Sequence, residues 1–271
     1  MAQVGRTLWL GQRTGVHAVI GMVHLGALPG SPGFVGPFSE ILAAALRDGE
    51  ALAQGGVDAL LVENFGDAPF FPGRVPAHVV AHMTAIACAL RESTNLPLGI
   101  NVLRNDALSA LAVATASDAA FVRVNVLCGA RVTDQGILQG LAHELLRERA
   151  VLGAGHVRVL ADVDVKHSAP LGLRLLAEEV EEALHRGGAD AVIASGSGTG
   201  KPTDLEQLQG VYRAAAGTPV LVGSGATAET AGSLAPYCDG FIVGTAFKHG
   251  GVLNAPVDPA RVQAFLRALG R

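Results

Sequence analysis

Cysteine and charge are both scarce in this sequence of 271 residues. The three cysteines are far apart and form no C-x-x-C pair, which argues against a disulfide framework and against structural zinc, and fits a reducing cytoplasm. Only 16% of the residues are charged, the formal net charge is -4, and no cluster of Lys and Arg stands out. The charge pattern therefore gives no electrostatic reason to expect nucleic acid or an acidic membrane as a partner.

The sequence also lacks a segment suited to crossing a membrane. Residues 14–39 contain no Asp, Glu, Lys or Arg, but prolines, glycines and two histidines interrupt them repeatedly. A helix facing lipid would be broken by that composition, so we expect no transmembrane segment. The N-terminus shows no continuous apolar stretch followed by a small-residue cleavage site, and no signal peptide is expected.

The chain is rich in hydrophobic residues, which make up 49% of it and recur in short runs along the sequence. Short β-branched runs alternate with amphipathic stretches, which predicts eight strands and eight helices. This rhythm predicts an α/β protein, a single (βα)8 TIM barrel over residues 1–271, with a doubly wound open sheet as the structural alternative. The predicted strands are 17–25, 59–65, 98–105, 121–126, 157–165, 191–196, 220–225 and 241–247, and the predicted helices 38–54, 76–92, 106–116, 137–152, 172–186, 203–215, 227–235 and 258–269.

Polar residues alternate with apolar ones along several predicted strands. Because the outer face of a barrel strand is buried under helices, these polar side chains are expected to point into the lumen, near the end where active sites are built. Asn101, Arg123, Asn125 and Ser195 are predicted to bind substrate. The alternative is an internal salt-bridge layer, in which Arg123 pairs with Glu63 or Asp162 and only fills the barrel.

The fifth predicted strand carries two aspartates on one face. The Cα atoms of Asp162 and Asp164 are expected to be about 6.6 Å apart, at a strand rise of about 3.3 Å per residue. Together with Glu63, the two carboxylates could hold a hard cation such as Mg²⁺. Lys166 ends the same face, and two roles are open: a Schiff base with a carbonyl substrate, or a countercharge to Asp164, which we favour. His24 ends the first strand as a candidate general acid or base, or as a hydrogen-bonded core residue.

Glycines follow the seventh and eighth predicted strands. Loops in this position, with a helix behind them, often bind phosphate in TIM barrels, because glycines let an anion approach the backbone N–H groups. The predicted phosphate-binding residues are Gly223, Ser224, Gly225, Gly244 and Thr245.

The loop after the sixth strand is also rich in glycine. It does not match a Walker A motif, because only three residues separate Gly196 from Gly200 and Pro202 follows the lysine. We interpret it as a loop that closes over a ligand, with Ser197 and Thr199 as hydrogen-bond donors.

Five blocks together resemble the BtpA family, also called BtpA/SgcQ. They are GMVHL at 21–25 with LPGSP at 28–32, VENFGD at 62–67, GINVLRN at 99–105, ADVDVKH at 161–167 and SGSGTG at 195–200. The resemblance implies a TIM barrel of the phosphate-binding type. The family's name comes from a cyanobacterial member needed for accumulation of photosystem I, and the resemblance implies no settled reaction.

Two functions of different class follow. The first is an enzyme acting on a small phosphorylated metabolite, with the phosphate on the last two loops and chemistry at Glu63, Asp162, Asp164, Lys166 and His24. The second is a non-catalytic biogenesis or assembly factor for a membrane complex, as the family's name implies. The polar lumen favours the enzyme, while the substrate, the metal and any homo-oligomer remain open.

Overall fold

The computed structural model describes residues 16–195 and 204–271, and its central feature is a closed parallel barrel. The strands are β1 Ala18–His24, β2 Ala59–Glu63, β3 Leu98–Asn101, β4 Phe121–Val124, β5 Ala130–Thr133, β6 Gly136–Gln139, β7 Arg158–Val163, β8 Ser168–Pro170, β9 Ala191–Ala194, β10 Val220–Val222 and β11 Gly240–Val243. Around the barrel the order is β1-β2-β3-β4-β7-β9-β10-β11, and β11 pairs with β1 to close the ring. Closure confirms the predicted TIM barrel over the open sheet.

In the described part of the chain, eight α-helices follow the barrel strands and cover them. They are α1 Phe38–Gly55, α2 Ala77–Thr94, α3 Ala107–Ala116, α4 Ala142–Val151, α5 Leu176–Glu181, α6 Leu205–Ala214, α7 Ala228–Leu234 and α8 Pro259–Ala268, and a π-helical segment, Glu182–Arg186, extends α5. Aspartate caps mark three starts: Asp106, Asp204 and Asp258 each accept a hydrogen bond from a backbone N–H of the first turn. No helix in the described ranges has the length and apolarity needed to cross a bilayer.

The barrel has two separate hydrophobic cores, as strand alternation requires. The outer core lies between barrel and helices. It contains the odd-numbered residues of β1 and the outward-facing residues of the other barrel strands. The inner core fills the lower lumen with side chains such as Ile20, Leu61 and Phe121. Gly99 makes room for that packing, because a Cβ there would lie 2.0 Å from the Phe121 ring. The lumen is thus closed below, and polar residues occupy its upper end.

A small antiparallel sheet lies beyond the strand ends and was missed by the sequence prediction. Strands β6, β5 and β8 form it, and β6 occupies the start of the stretch 137–152 that was expected to be helical. One face packs on the barrel through Arg131 and Leu138, both buried, with Leu138 against Val126 and Val165. These strands lack the buried apolar runs that revealed the barrel strands, because most of their residues are exposed or half-buried.

Candidate active site

A cavity of 340 Å³ opens at the carboxyl end of the barrel strands. Its inner wall is formed by titratable side chains of the barrel lumen. Its outer wall is formed by the loops after β10 and β11 and by part of α8. This is the end of a TIM barrel at which catalytic sites are built. The titratable residues of the inner wall are His24, Glu63, Arg123 and Lys166.

The two glycine-rich loops present unpaired backbone donors to this cavity. All five predicted phosphate-binding residues line it. The N–H groups of Gly225, Ala226, Thr245 and Ala246 make no hydrogen bond within the described part of the chain. Gly225 adopts φ +69°, a left-handed conformation that glycine takes without strain and that turns the loop around the cavity. Unpaired N–H groups in loops that line a cavity suit an anion.

Arg261 adds a cation that the sequence analysis missed. It lies on α8, its Nε donates to the carbonyl oxygen of Ala246 at 2.8 Å, and the residue lines the cavity beside the loop after β11. Its side chain is exposed, so its charge is available without a burial cost. No sequence pattern distinguishes it from Arg267 on the same helix, because only the fold brings it to the loop.

A buried ion pair stands at the centre of the lumen. Arg123 donates through Nε and Nη2 to the two oxygens of Asp162, at 3.0 and 2.9 Å. Asp162 also accepts from Asn125 Nδ2 at 2.6 Å and from Ser195 Oγ at 2.9 Å. Both carboxylate oxygens are therefore occupied, and Asp162 holds Arg123 in place. For this pair the geometry matches the salt-bridge alternative.

Glu63 and His24 lie next to each other beside the ion pair. His24 Nε2 is 3.9 Å from Glu63 Oε1, and the His24 ring is 5.0 Å from that of Phe65. Burial, with the charges of Lys248, Lys166 and Arg123, lowers the pKa of His24 to about 3. Burial raises the pKa of Glu63, against the opposing effect of Arg123 and Lys166. His24 is therefore neutral here, and Glu63 holds a proton more readily than an exposed glutamate does.

Two buried atoms in the site have no hydrogen-bond partner among the described residues. They are Nδ1 of His24 and Oδ1 of Asn101, whose amide nitrogen donates to the Arg123 carbonyl at 3.0 Å. Buried polar atoms are normally satisfied, and His24 lines the cavity, so its Nδ1 is available to a ligand or a water molecule.

The Glu63→Gln variant is expected to be more stable than the wild type above pH 4.5, because it removes a buried charge. A carboxyl group whose pKa is raised by folding contributes stability below its unfolded pKa, and that stability is lost as pH rises through the folded pKa. The gain from Glu63→Gln should therefore grow from pH 4.5 upward, measured by urea unfolding at several pH values. The exposed Glu92→Gln serves as control, and a Glu63→Gln that is destabilised at pH 8 would contradict the assignment.

Asp164 does not join Glu63 and Asp162, contrary to the prediction. Its backbone takes φ +46° just after β7, which turns the side chain out of the lumen. There it accepts from Arg131 Nη2 at 2.5 Å and from Gln207 Nε2 at 2.7 Å. With Asp162 bound to Arg123, the proposed Mg²⁺ ligands are not brought together. Within residues 16–195 and 204–271, no group of three or more His, Cys, Asp or Glu side chains is placed to hold a metal ion.

Lys166 lines the cavity instead of pairing with Asp164. Burial lowers the pKa of its amine, and Arg123 adds to the effect. An amine with a lowered pKa is more often neutral and so is a better base or nucleophile. The other two predicted ligand contacts, Ser197 and Thr199, lie outside the described residues.

Comparison with protein families places the chain among known sequences. The model of the BtpA family matches residues 16–271. The Photosystem I biogenesis protein BtpA of Synechocystis sp. is 48% identical over 251 residues, covering 93% of this chain and 87% of that protein. An uncharacterized protein of Thermococcus kodakarensis is 44% identical, over 90% of this chain and 92% of that protein. An uncharacterized mitochondrial protein of Caenorhabditis elegans is 32% identical, over 92% of this chain and 91% of that protein.

Solved structures with the same architecture are much more distant in sequence. Tryptophan synthase from M. tuberculosis superposes with a TM-score of 0.61 at 17% identity, covering 94% of this chain and 93% of that one. N-(5'-phosphoribosyl)anthranilate isomerase from Pyrococcus furiosus superposes with a TM-score of 0.57 at 16% identity. The match covers 94% of this chain and 98% of that one. At these identities the likeness shows the TIM-barrel fold alone.

Proposed function

The chain belongs to the BtpA family, and we propose that it is an enzyme that acts on a small phosphorylated metabolite. The phosphate lies on the loops after β10 and β11, held by backbone N–H groups and by Arg261. The reacting part of the metabolite extends inward to Glu63 and Lys166. The observation that carries this proposal is one cavity joining an anion-binding outer wall to an inner wall of buried titratable groups.

Glu63 and Lys166 are the proposed proton-transfer pair. Burial moves the pKa of the Glu63 carboxyl up and the pKa of the Lys166 amine down, so both come closer to neutrality, as acid–base catalysis requires. Arg123 lies beside them, fixed by Asp162, and supplies a positive charge for an oxyanion. If the metabolite has a carbonyl group, Lys166 could instead form an imine with loss of water, and borohydride would then trap it.

The Arg261→Gln variant is expected to weaken the binding of inorganic phosphate about tenfold, because a charge-assisted hydrogen bond is lost. Calorimetric titration of wild type and variant with inorganic phosphate measures this. Arg267→Gln is the matched control, since it removes an exposed arginine of α8 that does not line the cavity. Equal phosphate affinity in the wild type and in the Arg261 variant would argue against the phosphate site.

The second candidate is an assembly factor without catalysis. It is favoured by the 48% identity to a protein named for photosystem I biogenesis. A scaffold role gives no reason for a buried Glu63 and Lys166 at the base of an anion-binding cavity. Failure of the wild-type protein to bind inorganic phosphate at all would favour the scaffold.

A further inference from the structure

Arg104 is a buried cation at the mouth of the barrel. It belongs neither to the proposed phosphate site nor to the proposed proton-transfer pair. It follows β3, only 5% of its surface is exposed, and its Nη2 donates to the carbonyl oxygen of Lys166 at 2.7 Å. That acceptor is neutral. Burying a guanidinium without a countercharge is costly, so a side chain kept in this state calls for an explanation.

Neither Arg104 nor Lys166 has a carboxylate partner in this chain. In the described residues neither forms an ion pair, and the carboxylates whose charges act on Arg104 all lie beyond ion-pair distance; they are Asp162, Asp134 and Glu63. Residues 1–15 and 196–203, which lie outside the described ranges, contain no Asp or Glu. Those two segments therefore cannot supply an ion-pair partner for Arg104.

The charges at the mouth do not balance. Asp162 neutralises Arg123, and burial raises the pKa of Glu63, which disfavours its charged form. Within the described part of the chain, Arg104 then remains as a buried cation without an ion-pair partner, next to the Lys166 backbone. Its guanidinium is buried against the backbone of Lys166, a residue that lines the cavity, and water screens a buried charge weakly.

Arg104 and the phosphate loops lie on opposite sides of the barrel mouth. In the ring of eight strands, β3 and β10 are separated by three strands in either direction. Arg104 follows β3, and Gly223 to Gly225 follow β10. A ligand with its phosphate on the β10 and β11 loops would therefore direct its other end toward Arg104 and Lys166.

We infer that the metabolite carries a second anionic group, a carboxylate or another phosphate, at the end opposite its phosphate, and that Arg104 binds this group beside Lys166. The inference rests on the proposed phosphate site. It narrows the substrate class to small metabolites with two anionic ends. Arginine suits this role because its planar guanidinium can form two parallel hydrogen bonds with a carboxylate.

Calorimetric titration with matched ligands tests the inference. The probes are 6-phosphogluconate, glucitol 6-phosphate, which has an alcohol in place of the carboxylate, and glucitol 1,6-bisphosphate. In the wild type we expect one or both of the doubly anionic ligands to bind about tenfold or more tightly than glucitol 6-phosphate. Preference for 6-phosphogluconate identifies a carboxylate site, and preference for the bisphosphate a second phosphate site.

Variants then locate the second anion. Arg104→Met should remove the preference and leave glucitol 6-phosphate affinity unchanged, Arg104→Lys should keep part of it, and the exposed Arg74→Met should have no effect. Arg104→Met should not lower the melting temperature, since it removes an unpaired buried charge. If glucitol 6-phosphate binds as well as both doubly anionic ligands in the wild type, the inference is wrong while the phosphate site stands. If none of the probes binds, the proposed function fails as well.

Discussion

The Asp162→Ala variant is expected to lose about 3–5 kcal/mol of unfolding free energy, the usual cost of leaving one member of a buried ion pair without its partner. The Arg123 side chain is 2% exposed and that of Asp162 is fully buried. Removing the carboxylate also leaves Asn125 and Ser195 without their acceptor. Urea unfolding measures the loss, and the variant should fold poorly if at all at elevated temperature.

A double variant separates the cost of an unpaired charge from the cost of a cavity. Arg123→Met with Asp162→Leu replaces both charges by apolar groups and should recover most of the lost stability, because neither charge is then buried alone. If Asp162→Ala costs less than about 1 kcal/mol, within the range of exposed pairs, the ion pair is not buried as described.

The Gly244→Ala variant is expected to weaken phosphate binding by about 5- to 150-fold, which corresponds to the cost of about 1–3 kcal/mol for overpacking. An added Cβ would lie 2.5 Å from Cε1 of His24 and 3.4 Å from Cβ of Met22. His24 is buried against Phe65 and cannot readily withdraw. The loop must move instead, and its N–H groups then no longer converge on the phosphate.

Gly232→Ala provides the matched control for this substitution. It lies on α7, next to the loop after β10, and an added Cβ there meets no atom within 4 Å. Calorimetric titration with inorganic phosphate should give wild-type affinity for Gly232→Ala and a large loss for Gly244→Ala. Unchanged phosphate affinity in Gly244→Ala would show that the loop after β11 does not hold the phosphate.

The sequence was sufficient to predict the barrel because hydrophobic periodicity reports which face of a strand is buried. Alternation within β4 and β7 also predicted that Arg123 and Asp162 face the lumen, and the structure places both there. The glycines after the last two strands identified the loops that line the cavity. Each of these predictions uses only local spacing in regular structure.

What the sequence could not give depends on where regular structure stops. Alternation ends with β7, and the positive φ of Asp164 turns its side chain toward Arg131, a partner 33 residues away in sequence. The strands of the β5–β6–β8 sheet are mostly exposed or half-buried and so carry no apolar run. Arg104 and Arg261 stand in loop and helix surroundings typical of any surface arginine. Only the closed barrel brings the first to the mouth and the second to the cavity.

A crystal structure of the protein determined in the presence of inorganic phosphate tests the central claim most directly. We predict a phosphate ion between the loops after β10 and β11, within hydrogen-bond distance of the N–H groups of Gly225 and Thr245. A second cavity, lined by Arg147 and Arg186 among others, provides the competing position. Phosphate found there but not at the two loops would contradict the claim.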